Sequence, residues 1–181
     1  KAISRVDGGD ETCDPCEVIR IASKMAMSDL RHRATLTMDL SPAPKVPLSS
    51  TRLSQVILNI LSNAARAFRQ TDRTKNLIRV AVTQDEKSVL IVIEDNGRGI
   101  SPENLNRVWE PFFTKNAEHG GLGLGLSICR RILNEAKGTL KIQSVLDQGT
   151  TVEITLPFIE NDRLITTVAR PLRPVKVISD H

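Results

Sequence analysis

Between Gly120 and Leu126 the chain reads Gly-Gly-Leu-Gly-Leu-Gly-Leu and runs directly into Ser-Ile-Cys-Arg-Arg-Ile-Leu. Glycine loses more conformational freedom on folding than any other residue, so a purely structural loop rarely collects so many. Ile128, Ile132 and Ala136 then recur at helical spacing. A glycine loop that opens a helix offers unpaired backbone N–H groups and the positive end of the helix dipole. Together these make an anion site, most often for phosphate. The same loop would serve equally as a tight start to the helix or as a lid.

Upstream, Gln55, Asn59, Asn63 and Arg66 form a polar stripe on a helix expected over about 51–70. Its opposite face carries Leu53, Val56, Ile57, Ile60, Leu61, Ala64 and Phe68. Asn59 and Asn63 are one turn apart and share a side. Asn is a poor helix former, and a solvated face would favour Lys, Glu or Arg, so the pair needs a reason. An amide oxygen is a neutral, hard ligand suited to Mg2+, and an Arg beyond it can meet a phosphate. Bonds to a neighbouring loop are the plainer alternative.

Asp95-Asn-Gly-Arg-Gly99 follows the apolar run Val-Leu-Ile-Val-Ile, which puts the Asp95 carboxylate at the rim of a sheet. Gly97 and Gly99 permit a sharp turn and a close approach. A carboxylate there can accept from an exocyclic amine such as that of adenine, a charge-assisted bond of about 1.5–3 kcal/mol. An isolated Asp-x-Gly-x-Gly is also an ordinary turn. Trp109-Glu-Pro-Phe-Phe-Thr-Lys115 sets three large aromatics ahead of the glycine loop. It reads as a hydrophobic anchor for a hinged lid from which Lys115 could close on phosphates.

Other chemistries lack their residues. There is no Gly-x-x-x-x-Gly-Lys-Ser/Thr, Gly121-x-Gly123-x-Gly125 lacks the dinucleotide spacing, and no Gly-x-Ser-x-Gly occurs. His32, His119 and His181 are isolated. Cys13-Asp-Pro-Cys16 has no second pair to complete a zinc site, and reads as two small, half-buried residues at a helix start.

These groups need a scaffold. A first helix is expected over about 15–31, capped by Asp14 with Pro15 at its first position, and burying Val18, Ile19, Ala22, Met25 and Ala26. A strand over 34–40 and an extended stretch through Pro42, Pro44 and Pro47 lead to the second helix, capped by Ser49 or Ser50. Strands at 77–83 and 88–94 follow, then a short helix from Ser101-Pro102 towards Val108. The glycine-loop helix spans about 122–136 and stops at Lys137-Gly138. A hairpin, 139–145 and 150–157, turns at Asp147-Gln-Gly149. This order predicts an α+β sandwich, with a mixed, mostly antiparallel sheet of about five strands covered on one face by about three helices. The strand at 88–94 should be central.

With 181 residues, 40% hydrophobic and 25% charged, the chain suits one soluble globular domain. No apolar run approaches the ~20 residues that span a bilayer. A net charge of +4, aromatics at 3% and no Tyr give little support to a nucleic-acid surface. Reduced, cytoplasmic cysteines are the default reading of the three thiols. A first residue of Lys rather than Met points to a longer parent.

In combination and in order, these stretches resemble the ATP-binding catalytic domain of sensor histidine kinases, whose superfamily includes DNA gyrase, ninety-kilodalton heat-shock chaperones and mismatch-repair ATPases. Gln55-Val-Ile-Leu-Asn59-Ile-Leu-Ser-Asn63-Ala-Ala-Arg66 is similar to its N box. Asp95 to Ile100 is similar to the first glycine box, Trp109 to Thr114 to the aromatic box, Gly121 to Leu126 to the second glycine box, and Gly149 to Pro157 to the closing strand. The resemblance runs from about Asp14 to Pro157 and implies the Bergerat ATP-binding fold over 13–158, after a linker at 1–12. It implies Mg-ATP as the ligand, with Asn63 on the Mg2+ and Asn59 near the phosphates. Asp95 would bond the adenine amine, Thr150 supporting it through a water, while Gly97 and Gly99, with Ile100 beside them, give the base room. Gly121, Leu122, Gly123, Leu124, Gly125 and Leu126 would wrap the phosphates, and Arg66 and Lys115 would contact them. Leu122 departs from the Ser or Thr common there, which removes one hydroxyl.

Asn59 also separates transfer from hydrolysis within the resemblance. Hydrolytic relatives carry a Glu at this place to activate water, and a neutral amide cannot act as that base. Phosphoryl transfer needs mainly positioning and charge neutralisation. The expected activity is transfer of the γ-phosphate to a histidine on a dimerisation domain, with a response regulator as a further partner. A serine kinase of the anti-sigma-factor type and a nucleotide-binding pseudokinase share the boxes. No histidine here is followed by Glu or Asp as in the family's acceptor helix, so the acceptor is expected outside these residues. This piece should then bind Mg-ATP as a monomer without autophosphorylating, the full-length protein being a homodimer and its catalytic part cytoplasmic, with any membrane anchor upstream. Residues 159–181 read as a tail or linker, or as the start of a receiver domain, since Val175-Lys-Val-Ile-Ser-Asp180 faintly resembles the first strand of one.

Overall fold

Asp14 opens the fold by capping α1 (Pro15–Leu30): its carboxylate accepts from the amides of Cys16 at 2.8 Å and Glu17 at 3.2 Å. The computed structural model describes residues 12–68, 72–110, 112–113 and 123–158. The linker at 1–11, the tail at 159–181, and Lys115, Gly121 and Leu122 lie outside the described residues. After α1 come β1 (Thr35–Leu40), α2 (Ser50–Ala67), β2 (Leu77–Gln84) and β3 (Ser88–Asp95). A one-turn α3 (Pro102–Leu105) and a 3₁₀ turn (Arg107–Trp109) lead to α4 (Gly125–Glu135), β4 (Thr139–Val145) and β5 (Gly149–Pro157).

The sheet order is β1-β2-β3-β5-β4, with β1 and β2 parallel and every other pairing antiparallel. The α+β sandwich read from the pattern is therefore the observed fold, and β3 is its middle strand. Val89, Ile91 and Ile93 alternate towards the helices, beside Ile78, Val80 and Val82 of β2 and Val152, Ile154 and Leu156 of β5. Against them pack Leu53, Val56, Ile57, Ile60 and Leu61 of α2 and Ile132 and Leu133 of α4, in one continuous core that also takes in the inner face of α1. The other face of the sheet is polar: Arg79 reaches Asp39 at 3.6 Å and Glu94 at 3.9 Å. Helices α2 and α4 are also tied at the surface by the Arg52–Glu135 ion pair.

Five local expectations change. Met25, expected in the core, is 60% exposed, because it falls off the stripe that Val18, Ile19, Ala22 and Leu30 turn inward. Helix α2 ends at Ala67, with Phe68 extended at its C-cap rather than inside it. Helix α4 begins at Gly125 rather than at Leu122 or Gly123, because Gly123 is left-handed (φ 66°). At the other end of α4 the left-handed residue is Lys137 (φ 57°), not Gly138. Gly138 is needed for space instead, since a Cβ there would stand 2.7 Å from the Thr155 carbonyl oxygen. Finally, the Phe112 side chain is 73% exposed rather than an apolar anchor, and what Phe112 contributes is its left-handed backbone (φ 67°), whose amide donates to the Gly123 carbonyl oxygen at 3.1 Å.

Candidate nucleotide-binding site

A pocket of about 280 Å³ lies between α2, the end of β3, the loop that follows it, and the β4–β5 hairpin. Ile60, Ala64, Ile93, Leu126, Ile142 and Val152 give it apolar walls, among which stand the polar side chains of Asn63, Asp95 and Thr150. This is the ordinary make-up of a small-molecule site, in which apolar walls supply contact and a few polar atoms fix orientation.

Asp95 lies half-buried on the pocket wall. As the last residue of β3 it is carried to the sheet rim by the middle strand of the sheet. Its Oδ1 accepts from the Gly97 amide at 2.9 Å. Burial pushes its carboxyl up to about 6, against the lowering effect of amide bonds from Gly97 and Thr150. At neutral pH it is an ionised acceptor in a mostly apolar surround, where one good donor is worth most.

The two glycines after Asp95 act mainly by letting backbones touch. A Cβ at Gly97 would stand 2.6 Å from the Ala67 Cβ, and Gly97 does not line the pocket. Gly99 does line it, in a left-handed conformation (φ 63°) with the Val145 carbonyl oxygen 2.0 Å from where a Cβ would be. Their absent side chains thus dock the loop on α2 and on the hairpin turn. Gly149 completes that arrangement: at φ 122°, it leaves only 2.0 Å between a would-be Cβ and the Asp95 carbonyl oxygen.

The remaining sequence-derived residues divide. Asn63, Ile100, Gly123, Gly125, Leu126 and Thr150 all line the pocket with Asp95 and Gly99. Asn63 is exposed at its rim. Asn59, one turn earlier, is half-buried and turns its amide nitrogen to the Gly125 carbonyl oxygen at 3.5 Å and the Cys129 sulfur at 3.6 Å. It therefore braces the first turn of α4 instead of lining the cavity. Leu124 is the N-cap of α4 and lies off the cavity wall. Arg66 is exposed and is not among the lining residues either. Among the described residues no cluster of three His, Cys, Asp or Glu could hold a metal.

Three groups were not anticipated. Phe113 faces the pocket with the Arg107 guanidinium 4.4 Å from its ring centre, while Arg130 of α4 lies 5.3 Å over Trp109. These stacked pairs flank Phe112, whose own amide bonds the Gly123 carbonyl oxygen. Ser144 accepts from the Ile100 amide at 2.8 Å and contacts the Gly149 carbonyl oxygen at 2.8 Å and the Thr150 hydroxyl at 2.9 Å. Its signal was present: Leu140 and Ile142 point inward on β4, and the next inward position holds a serine.

The model of the family described as histidine kinase-, DNA gyrase B- and HSP90-like ATPases matches residues 49–160, the segment that carries α2, the pocket and the closing hairpin. The chain belongs to that family. It is an ATP-binding catalytic domain of the sensor-kinase type. A putative sensor protein of Shewanella frigidimarina is 30% identical over 146 residues, covering 81% of this chain and 22% of that protein. The C4-dicarboxylate transport sensor protein DctB of Pseudomonas aeruginosa is 35% identical over 140 residues, covering 75% of this chain and 23% of its own length. Among solved structures, the mycobacterial sensor histidine kinase MprB superposes with a TM-score of 0.70 at 28% identity, over 82% of this chain and 97% of the other. The chain spans about a fifth of the length of the curated relatives it matches. No described helix is long and apolar enough to cross a membrane.

Proposed function

We propose that this chain binds Mg-ATP with its base against Asp95 and passes the γ-phosphate to a histidine on a dimerisation and phosphoacceptor domain of the same kinase. The observation that carries the reading is Asp95 itself, a half-buried carboxylate on the wall of a mostly apolar pocket, its carboxyl raised by burial to about 6. An exocyclic amine supplies the donor that such a carboxylate needs.

The side of the pocket next to α4 suits phosphates. Gly123 and Gly125 border it at the start of α4, where helix amides favour an anion. The residues present fit Mg2+ in one particular way. Mg2+ keeps several waters and substrate phosphates in its shell, so a single neutral oxygen from Asn63 suffices and a carboxylate cage is not needed. When bound, the ion would neutralise phosphate charge. Arg66, which lies outside the cavity wall, and Lys115 are proposed as further phosphate contacts.

Asn59 supports transfer over hydrolysis. Its amide is engaged with α4, and it is no base in any case, so attack by water has no helper at this place. What the domain supplies is position and charge, with the nucleophile brought by the acceptor histidine. A response regulator would receive the phosphate next, and the catalytic part would work in the cytoplasm.

Two measurements test the reading. A fluorescent ATP analogue should bind the chain, and Asp95→Asn should abolish that binding; unchanged affinity refutes the adenine assignment. Mixed with the acceptor hairpin and labelled ATP, the chain should yield acid-labile phosphohistidine, and acid-stable phosphoserine would overturn the proposed acceptor.

A further inference from the structure

We infer that Ser144 sets the base specificity of this site by holding the Thr150 hydroxyl as a hydrogen-bond acceptor. The inference rests on the ATP-site reading above and follows from counting protons. Ser144 Oγ meets three partners: the Ile100 amide at 2.8 Å, the Gly149 carbonyl oxygen at 2.8 Å and Thr150 Oγ1 at 2.9 Å. The amide can only donate and the carbonyl can only accept. Ser144 therefore accepts from Ile100 and spends its single proton on Gly149. The contact with Thr150 then needs a proton from Thr150, which Ser144 accepts on its remaining lone pair.

Thr150 is left with lone pairs alone for the pocket that it lines. It sits directly across the β3–β5 ladder from Asp95, its register partner. Both side-chain oxygens at this end of the pocket then call for donors. A 6-amino purine presents two amine hydrogens, whereas a 6-oxo purine keeps only its N1–H as a donor and turns a carbonyl towards one of the two acceptors, a mismatch that a polar site rejects more strongly than a missing contact. Without the Ser144 hydroxyl, Thr150 could rotate its proton into the pocket and meet that carbonyl. Ser144 touches no nucleotide in this account. It is a positioning residue that acts through Thr150.

Competition of ATP and inosine triphosphate, which differ in the group at position 6 and in the proton at N1, against a fluorescent ATP analogue at pH 7.5 tests this. The unmodified chain should prefer ATP. Ser144→Ala should lower that preference about three- to tenfold, mainly by tightening inosine triphosphate, the effect of gaining one hydrogen bond. Ser144→Thr should restore it. Thr150→Val, an independent variant, should weaken ATP and leave inosine triphosphate unchanged or tighter. Equal weakening of both nucleotides by Ser144→Ala, or loss of inosine triphosphate binding in Thr150→Val, overturns the assignment and leaves the ATP site intact. Absence of ATP binding by the unmodified chain would instead overturn the site reading, and the proposal with it.

Discussion

In Asp95, ligand recognition and stability oppose one another. Burial lifts its carboxyl from 3.8 to about 6, because the charged form has lost most of its water and the two amide bonds return only part of that loss. Between these values the unfolded chain has released the proton while the folded chain still holds it. Stability therefore falls as pH rises through that window, and the penalty stays constant above it. The full penalty is about 3 kcal/mol at pH 7.5, and about 1.5 kcal/mol at pH 5, where the window is only half crossed. Asp95→Asn keeps an oxygen for the Gly97 amide and removes the charge. Urea unfolding, extrapolated linearly at both pH values, should show the variant more stable by up to about 3 kcal/mol at pH 7.5 and by about half of that at pH 5. The same protein should have lost the ATP analogue. A variant that is no more stable than the parent at pH 7.5, or a gap that does not narrow at pH 5, refutes the argument that Asp95 is held ionised against its burial.

Adenosine, which has no phosphate to titrate, should compete about tenfold more weakly at pH 5 than at pH 7.5, as Asp95 takes up its proton; a flat profile would sink this link between protonation and recognition. Gly149→Ala places a Cβ against the Asp95 carbonyl oxygen in a left-handed turn, and should cost at least about 2 kcal/mol in a denaturant melt together with analogue binding; parent-like values for both would show that the turn yields. Burial pushes the thiols of Cys13 and Cys129 up to about 11 and raises that of Cys16, so none should react with a maleimide at pH 7 until the chain unfolds, when three labels should appear by mass spectrometry.

Much of the fold was legible because its signals are local. The cap at Asp14, the apolar stripe of α2, the unbroken apolar run of β3 and the turn at Asp147-Gln-Gly149 each act within a few residues, and the structure repeats them with shifts at the ends. Met25 shows the limit: helical spacing names an apolar face, but only the path of α2 decides which residues on the edge of that face are covered. Gly97, Gly99 and Gly138 show another. All three are glycine for what they touch, and each touches a segment far away in the chain: α2, the hairpin turn and β5.

The sequence by itself determined the chemistry on offer: a carboxylate after a buried strand, paired amides on a helix, glycines before another, and a family whose boxes occur in that order. Tertiary structure decided which of these meet. It brought Asp95, Asn63, Gly99 and Thr150 around one cavity, turned Asn59 to brace α4, and left Arg66 outside the wall. It also revealed Ser144, whose importance lies in three partners contributed by one loop and the neighbouring strand. The reason is physical. Propensity and periodicity depend on neighbours along the chain, whereas the direction of a hydroxyl proton depends on every atom within hydrogen-bonding reach.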